Sequence, residues 1–427
     1  MSRQYRRSEL SSLTFSHSRK TDMQTSTPLG GIRVLELGQL IAGPFAAKIL
    51  GEFGAQVIKV EPPQGGDPLR KWRLLHEGNS VWWEVQSRNK QSLALDLRQP
   101  EGQQVIRDLI GQCDIVIENF RPGALEEWGL GWEALHAINP GLIMLRVSGY
   151  GQSGPYKDRP GFGVVGEAMG GLRHLSGEPG RPPVRVGVSI GDSLAALHGV
   201  IGIMMALRQR EQHGGQGQYI DVALYESVFN MMESLLPEYS AFGAVREPAG
   251  SSLPGITPSN AYLCKDGKYA LVAGNGDSIF KRLMTAIGRS DMAANPDYAH
   301  NDGRARHAGV IDAAIGHWAS ALNLDDALTI LDQARVPAGR VYDIADIAAD
   351  PHYQARDMLL DATLPDGTPL KVPGIVPKLS QTPGAIHRPA PLLGQDTLDI
   401  LEGLGIHRDQ QQDWLDRGII ATSPKRP

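Results

Sequence analysis

The sequence predicts an α/β protein: a parallel sheet with helices on both faces, and a smaller α+β domain inserted into it. Three features of the 427 residues carry that expectation. Short apolar runs recur at Val34–Leu37, Val57–Val60, Leu93–Leu95, Ile115–Ile117 and Ile143–Val147, bounded by Gly, Pro, Asp or Asn. Helical segments such as Pro44–Phe53 and Gln99–Gly111 separate several of them. The chain also exceeds one ordinary core, so two lobes are expected. Short buried strands alternating with helices are the mark of βαβ units.

The loops after these strands, Gly38–Pro44, Glu61–Asp67, Asn119–Gly123 and Ser148–Gly154, all carry glycine or proline. In parallel sheets ligands sit beyond such carboxyl ends. Val184–Ile190 reads as a further strand, followed by Gly191, Asp192 and Ser193. Leu194–Leu207 is apolar almost all round, which predicts a buried helix. It closes on Arg208–Gln212 and Gly214-Gly215, a basic last turn with a glycine stop. Asp192 is thereby expected at the N-cap. Tyr219–Leu224 reads as a strand and Glu226–Leu235 as a helix.

After the loop-like stretch Val245–Pro258 comes a hairpin pattern, Tyr262–Cys264 and Tyr269–Ala273 around a turn at Lys265–Lys268. Ser278–Ile287 and Val310–Leu322 read as helices, Val336–Tyr342 as a return toward the sheet, and Pro389–Leu404 as a closing helix. The expected division is a large domain over 28–240, a small one over 241–335, and a return to the large domain over 336–427. Residues 1–27 are expected to be a disordered extension, with Met23 a candidate start. Glu9 and Asp22 interrupt its positive charge, and no apolar face emerges as a mitochondrial presequence would need.

Composition excludes several classes. Hydrophobic residues make up 41% and charged residues 21%, a globular balance. A net charge of −5 without a basic run argues against nucleic acid or anionic membrane as a partner. No uninterrupted apolar stretch reaches the roughly 18 residues of a membrane span. Two cysteines, Cys113 and Cys264, are too few for a disulfide framework, so a reducing, cytoplasmic compartment is expected. No His-x-x-x-His or His-Glu-x-x-His pair occurs, and no metal site is expected.

The first strand runs into Gly38-Gln39-Leu40-Ile41-Ala42-Gly43-Pro44, which opens a helix whose amides could hold phosphate. It lacks the Gly-Lys-Ser/Thr of a P-loop, and Leu40 stands where a dinucleotide fingerprint needs glycine. Glu61 does sit where such a site keeps its ribose acid. A structural turn or a different nucleotide-bearing ligand remains open. Arg70, Lys71, Arg73, Arg88 and Lys90 form a basic cluster suited to a polyphosphate, or equally to a solvated surface over Trp72, Trp82 and Trp83. Gly149–Gly154 is one residue short of a nucleophile elbow. Asp192 is the sharpest candidate: an N-cap carboxylate is kept ionised by backbone N–H groups and the helix dipole. Most such aspartates only cap, but Gly187, Gly191 and Ser193 leave room for a substrate carbonyl to approach.

In this order the segments resemble the class III CoA-transferases, which include formyl-CoA:oxalate CoA-transferase and the α-methylacyl-CoA racemases. The resemblance rests on Leu29–Glu36, Ala42-Gly43-Pro44, Leu50–Glu61, Gly66-Asp67, Arg88-Asn89-Lys90 and Glu118–Gly123. It continues through Gly149–Pro155, Gly191-Asp192-Ser193, Gly214–Gln218, Asp266-Gly267 and Arg388–Gly394. It implies a Rossmann-like large domain with an inserted small domain, an interlocked homodimer, and no permanently bound cofactor, coenzyme A thioester being the substrate. Asp192 matches the family's catalytic aspartate. Leu40, Ile41 and Ala42 fall on its pantetheine-lining loop, and Asn119 and Phe120 on its adenine-side loop. Arg70 and Lys90 are the candidate cations for CoA phosphates. Gly43 and the loop Gly250–Gly255 would shield or supply the site. Ile41, Pro62 and Ser251–Gly255 depart from the formyl-CoA enzyme, which disfavours a formyl/oxalate pair. The racemases' His-Asp is Phe162-Gly163 here, and phenylalanine carries no proton, so transfer is favoured over racemisation; an acidic group common in transferases at 163 is also absent. The expected reaction moves CoA between short carboxylates, with succinyl-CoA as donor and a di- or hydroxydicarboxylic acid as acceptor.

Overall fold

The computed structural model describes residues 27–425; the extension expected over 1–27 lies, apart from Thr27, outside the described residues. Strands β1 (Arg33–Glu36) and β2 (Gln56–Glu61) are followed by a short hairpin, β3 (Leu75–His76) and β4 (Asn79–Ser80). Next come β5 (Lys90–Leu95), β6 (Ile115–Glu118), β7 (Ile143–Ser148) and β8 (Tyr219–Ala223). A separate antiparallel sheet holds β9 (Ser259–Leu263), β10 (Tyr269–Ala273) and β11 (Ala338–Arg340). A second hairpin, β12 (Leu359–Thr363) and β13 (Pro369–Pro373), precedes the terminal β14 (Ile420–Ala421).

The main sheet has the order β14-β5-β2-β1-β6-β7-β8. It is parallel throughout, save for β14 running antiparallel on β5. From β1 the chain builds outward through β2 and β5, then crosses back to place β6 on β1's other side. The switch point therefore lies between the carboxyl ends of β1 and β6, where a ligand crevice forms in such sheets.

Branched aliphatics make these strands because both faces are covered. Val34, Ile115, Val116, Ile117 and Ile143 are fully buried, each worth roughly 1.5–3 kcal/mol over exposure. One face packs against Ala46, Leu50, Ala195 and Ile203, the other against Ile106, Leu109, Leu125 and Leu135. A third core, drawn from Tyr262 to Val336, centres on Phe280, Leu283, Ile311 and Leu331.

Four expectations are corrected. Val184–Ser189 forms no strand: Gly187 interrupts the alternation, Val184, Val186 and Val188 are exposed, and β8 takes the place beside β7. The long helix starts at Ile190 with Ser189 as its N-cap, so Asp192 is its third residue rather than its cap. Ala338–Arg340 pairs with β10 in the small sheet instead of returning to the large one.

Finally, the helix Ile190–Gln212 is apolar almost all round over its stretch Leu194–Leu207 but buried on one side only. By length and composition it could cross a membrane; here it lies on β7, β8 and the helix Ala42–Glu52. Gly199 allows that approach, since a Cβ there would stand 2.7 Å from Leu145. The opposite face leaves Ile201 51% and Met205 67% exposed.

Candidate active site

The switch point opens into a cleft of about 780 Å³. Gln39–Ala42 and Asn119–Pro122 wall one side, residues 158–164 another, and Arg185, Ser189 and Asp192 a third. The helices Ala42–Glu52 and Ile190–Gln212 both begin there, so two helix N-termini and their positive dipole ends meet in one space. A hollow of about 830 Å³ in the small module, lined by Ile287, Val310 and Trp318, has no carboxylate or hydroxyl in its wall. The switch-point cleft is therefore the candidate site.

Asp192 is half-buried in that cleft. Burial first, then the negative charge of Glu167, push its carboxyl up to about 6, against the pull of Arg185 and of its own backbone N–H. Glu167, from the helix Gly163–Met169, is buried and holds Arg185 at 3.4 Å. Two glycines let these helix starts come together. A Cβ at Gly163 would overlap Oδ2 of Asp192, and one at Gly191 would lie 3.2 Å from the Glu167 side chain. An acidic side chain, absent at 163, stands one turn on at Glu167.

The loop Gly38–Ala42 is fixed from two sides. The Asn119 amide accepts from Gln39 N at 2.7 Å and donates to Gln39 O at 2.8 Å. Asp67 accepts Leu40 N–H at 3.1 Å, holding Leu40 at a positive φ of 63°, a conformation costly for a residue other than glycine. Below, Lys59 reaches Asp67 and Glu36 at 2.8 Å each and donates to Gly38 O. Burial alone would lower the Lys59 ammonium; Asp67 and Glu36 outweigh it and hold it above its ordinary range.

Two expected phosphate contacts belong to this frame instead. Arg70 grips Glu61 through two bonds of 2.8 Å and stacks 3.7 Å over the Trp83 ring. Lys90 is fully buried, 2.7 Å from Glu36 and donating to Pro44 O. Arg88 is likewise spent on Glu52. Of the basic cluster only Arg73 lines the cleft, beside Trp72. Leu40, Ile41, Ala42, Asn119 and Phe120 do line it, with Phe120 N–H held by Glu118 at 2.8 Å. Gly250–Gly255 does not; Gly250 bonds Gly177 O. Sequence reasoning missed Arg121, Arg159, Arg185 and Glu167. Arg185 had a signal, a lone cation in the apolar run leading to Asp192; Glu167 had none.

A parallel sheet with a cleft at its switch point, walled by glycine-bearing loops and holding a half-buried carboxylate, is the architecture of an α/β enzyme. The family model "CoA-transferase family III" matches residues 29–397, and the chain belongs to that family: it is a class III CoA-transferase. Succinyl-CoA–D-citramalate CoA-transferase of Chloroflexus aurantiacus is 48% identical over 88% of this chain and 94% of its own. The beta subunit of succinyl-CoA–L-malate CoA-transferase from that organism is 44% identical over 93% and 99%. A crystal structure of a CAIB/BAIF family protein from Brucella suis superposes with a TM-score of 0.77 at 34% identity, covering 89% of this chain and all of that one.

Two substitutions test this geometry. Lys59→Met strands Asp67 without a cation and leaves Glu36 with Lys90 alone, and is expected to lower stability by about 3–5 kcal/mol in urea unfolding. Gly163→Ala, at a helical position that tolerates alanine, is expected to displace the Asp192 carboxylate. CoA exchange should fall at least about tenfold with the melting temperature nearly unchanged, a displacement of the reacting group being costly.

Proposed function

We propose that the enzyme transfers CoA from succinyl-CoA to a dicarboxylate or hydroxydicarboxylate, with Asp192 as nucleophile. The observation that carries this is the placement of Asp192 at a helix start in the switch-point cleft, over Gly163. The substrate class is supported by the relatives, whose names specify succinyl-CoA with citramalate or malate. An Asp192 oxygen attacks the donor thioester carbonyl and expels CoA thiolate, leaving a mixed anhydride. The thiolate attacks the aspartyl carbonyl and releases the donor acid, giving an aspartyl-CoA thioester. The acceptor carboxylate then displaces the thiolate, which attacks the acceptor's acyl carbon and frees Asp192 as product leaves. Splitting the exchange this way conserves thioester energy, and the two helix N-termini supply N–H groups and dipoles for each oxyanion.

Leu40, Ile41 and Ala42 would line the pantetheine arm and Phe120 the adenine side. For the phosphates we place Arg73, Arg121 and Arg159, which line the cleft, in the role first expected of Arg70 and Lys90. Racemisation finds no support here: Phe162 faces the cleft and Gly163 has no room for a side chain beside Asp192. Cys113 and Cys264 are free and buried, which suits the cytoplasmic location we propose.

Asp192→Ala is expected to leave below about 1% of exchange between succinyl-CoA and an acceptor acid, read by mass spectrometry, while CoA still binds. Only the ionised carboxylate attacks. With its value near 6, kcat/KM should be full above about pH 7, halved near 6, and fall about tenfold per unit below 5. No acyl mark on Asp192 after hydroxylamine trapping during turnover would defeat the mechanism; CoA binding without any exchange would make it a CoA-binding protein.

The exposed face of Ile190–Gln212 supports the homodimer. Leu197, Ile201, Met204 and Met205 form an apolar stripe of the kind a second copy covers. Ile201→Glu with Met205→Glu is expected to shift the sedimentation coefficient to that of a monomer or a misassembled chain; an unchanged dimer would place the interface elsewhere.

A further inference from the structure

Arg185 stands on the cleft wall four residues before the helix N-cap Ser189. Its side chain is 44% exposed, and its Nε and Nη2 lean on Glu167 at 3.4 and 3.5 Å. These contacts are longer than the 2.7–2.9 Å of a settled charged hydrogen bond. Nη1 has no hydrogen bond among the described residues. The other cleft arginines, the three assigned to the phosphates, make different contacts: Arg121 pairs with Glu127 at 2.6 Å, Arg159 stacks 3.7 Å over Tyr156, and Arg73 lies 5.8 Å from the Trp82 ring. Arg185 is the cation whose charge reaches Asp192.

That placement answers a need of the reaction. Around the nucleophile stand two carboxylates, Asp192 and Glu167, and one cation. A monocarboxylate acceptor meets this once Asp192 is acylated and neutral. A dicarboxylate brings a second negative charge into the same half-buried space, facing buried Glu167. Unpaired, that charge would be repelled. A guanidinium loosely held on one edge and free on the other can bridge Glu167 and an incoming carboxylate.

Resting on the transferase reading above, we propose that Arg185, held by Glu167, is the specificity residue that binds the distal carboxylate of dicarboxylate substrates. It forms no covalent bond and moves no proton in the exchange.

The test is isotope exchange between succinyl-CoA and ¹³C-succinate, and between butyryl-CoA and ¹³C-butyrate, for wild type, Arg185→Met and Arg185→Lys. Wild type is expected to prefer succinate. In Arg185→Met the succinate-to-butyrate ratio of kcat/KM should fall about 10- to 100-fold, the range spanned by loss of a charged hydrogen-bond pair. Most of the loss should appear in KM for succinate. Arg185→Lys keeps the charge without the fork and should lose part of the ratio, which decides the matter if the Met variant does not fold. Succinate and butyrate falling in parallel in both variants, or a wild type without preference, overturns the proposal and leaves CoA transfer standing. No exchange by wild type with either acid overturns the transferase reading itself.

Discussion

The buried ammonium of Lys59 is the constraint on which the site depends. Lys59 lies in the middle of a central strand and is fully buried. Its charge must be matched there, and Glu36, directly across the parallel register on β1, supplies one partner. Asp67, from the loop after β2, supplies the other, and the same carboxylate holds Leu40 N–H. The ammonium also takes Gly38 O. One charge therefore joins two strand ends to the loop that forms the cleft wall. Glu61 with Arg70 and Lys90 with Glu36 extend the network sideways, so three carboxylates balance three cations. Buried pairs of this kind add little net stability compared with apolar packing. What they specify is position, and a left-handed Leu40 needs that.

Much of this fold can be read from the chain alone, because its strands are buried on both faces and stand out as apolar runs. β1, β2, β5, β6, β7 and β8 all fall within a residue or a few of the expected runs, and their carboxyl-end loops do converge. The misreadings share one physical origin: a local pattern does not reveal what lies opposite. Val184–Ile190 alternates like a strand yet has no partner edge. Leu194–Leu207 looks buried all round because its free face is as apolar as its packed one. Val336–Tyr342 resembles a return strand, while its edge is claimed by β10.

The basic cluster shows the same limit more sharply. Five cations within 21 positions suggest a polyphosphate site, but four of them point elsewhere: three into buried acids, and Lys71 to Gly78 O. The counter-signal was present. Glu36, Lys59 and Glu61 each interrupt an apolar strand, and charge inside a doubly covered strand must be paired within the core. Read that way, Arg70 and Lys90 become partners of strand acids before they become ligand contacts. Asp192 stands out as a candidate through its small neighbours, whereas Glu167 enters its surroundings only when two helix starts are brought together.

The surroundings of Asp192 work against the stability of the folded chain. Its folded value near 6 lies above the ordinary 3.8, so between those pH values the folded state binds more protons than the unfolded one. Stability therefore falls as pH rises through that window, and the cost is complete above it, on the order of 2–3 kcal/mol. A merely capping aspartate would show the opposite sign, its value lowered by the helix. A carboxylate made more basic is a better nucleophile toward a thioester, yet at neutral pH it remains mostly ionised. In the proposed mechanism, burial would also limit the access of water to an anhydride at this position. The features that destabilise this side chain are those an acyl-transfer nucleophile needs, and Glu167, which adds to the cost, is also the group that holds Arg185 beside it.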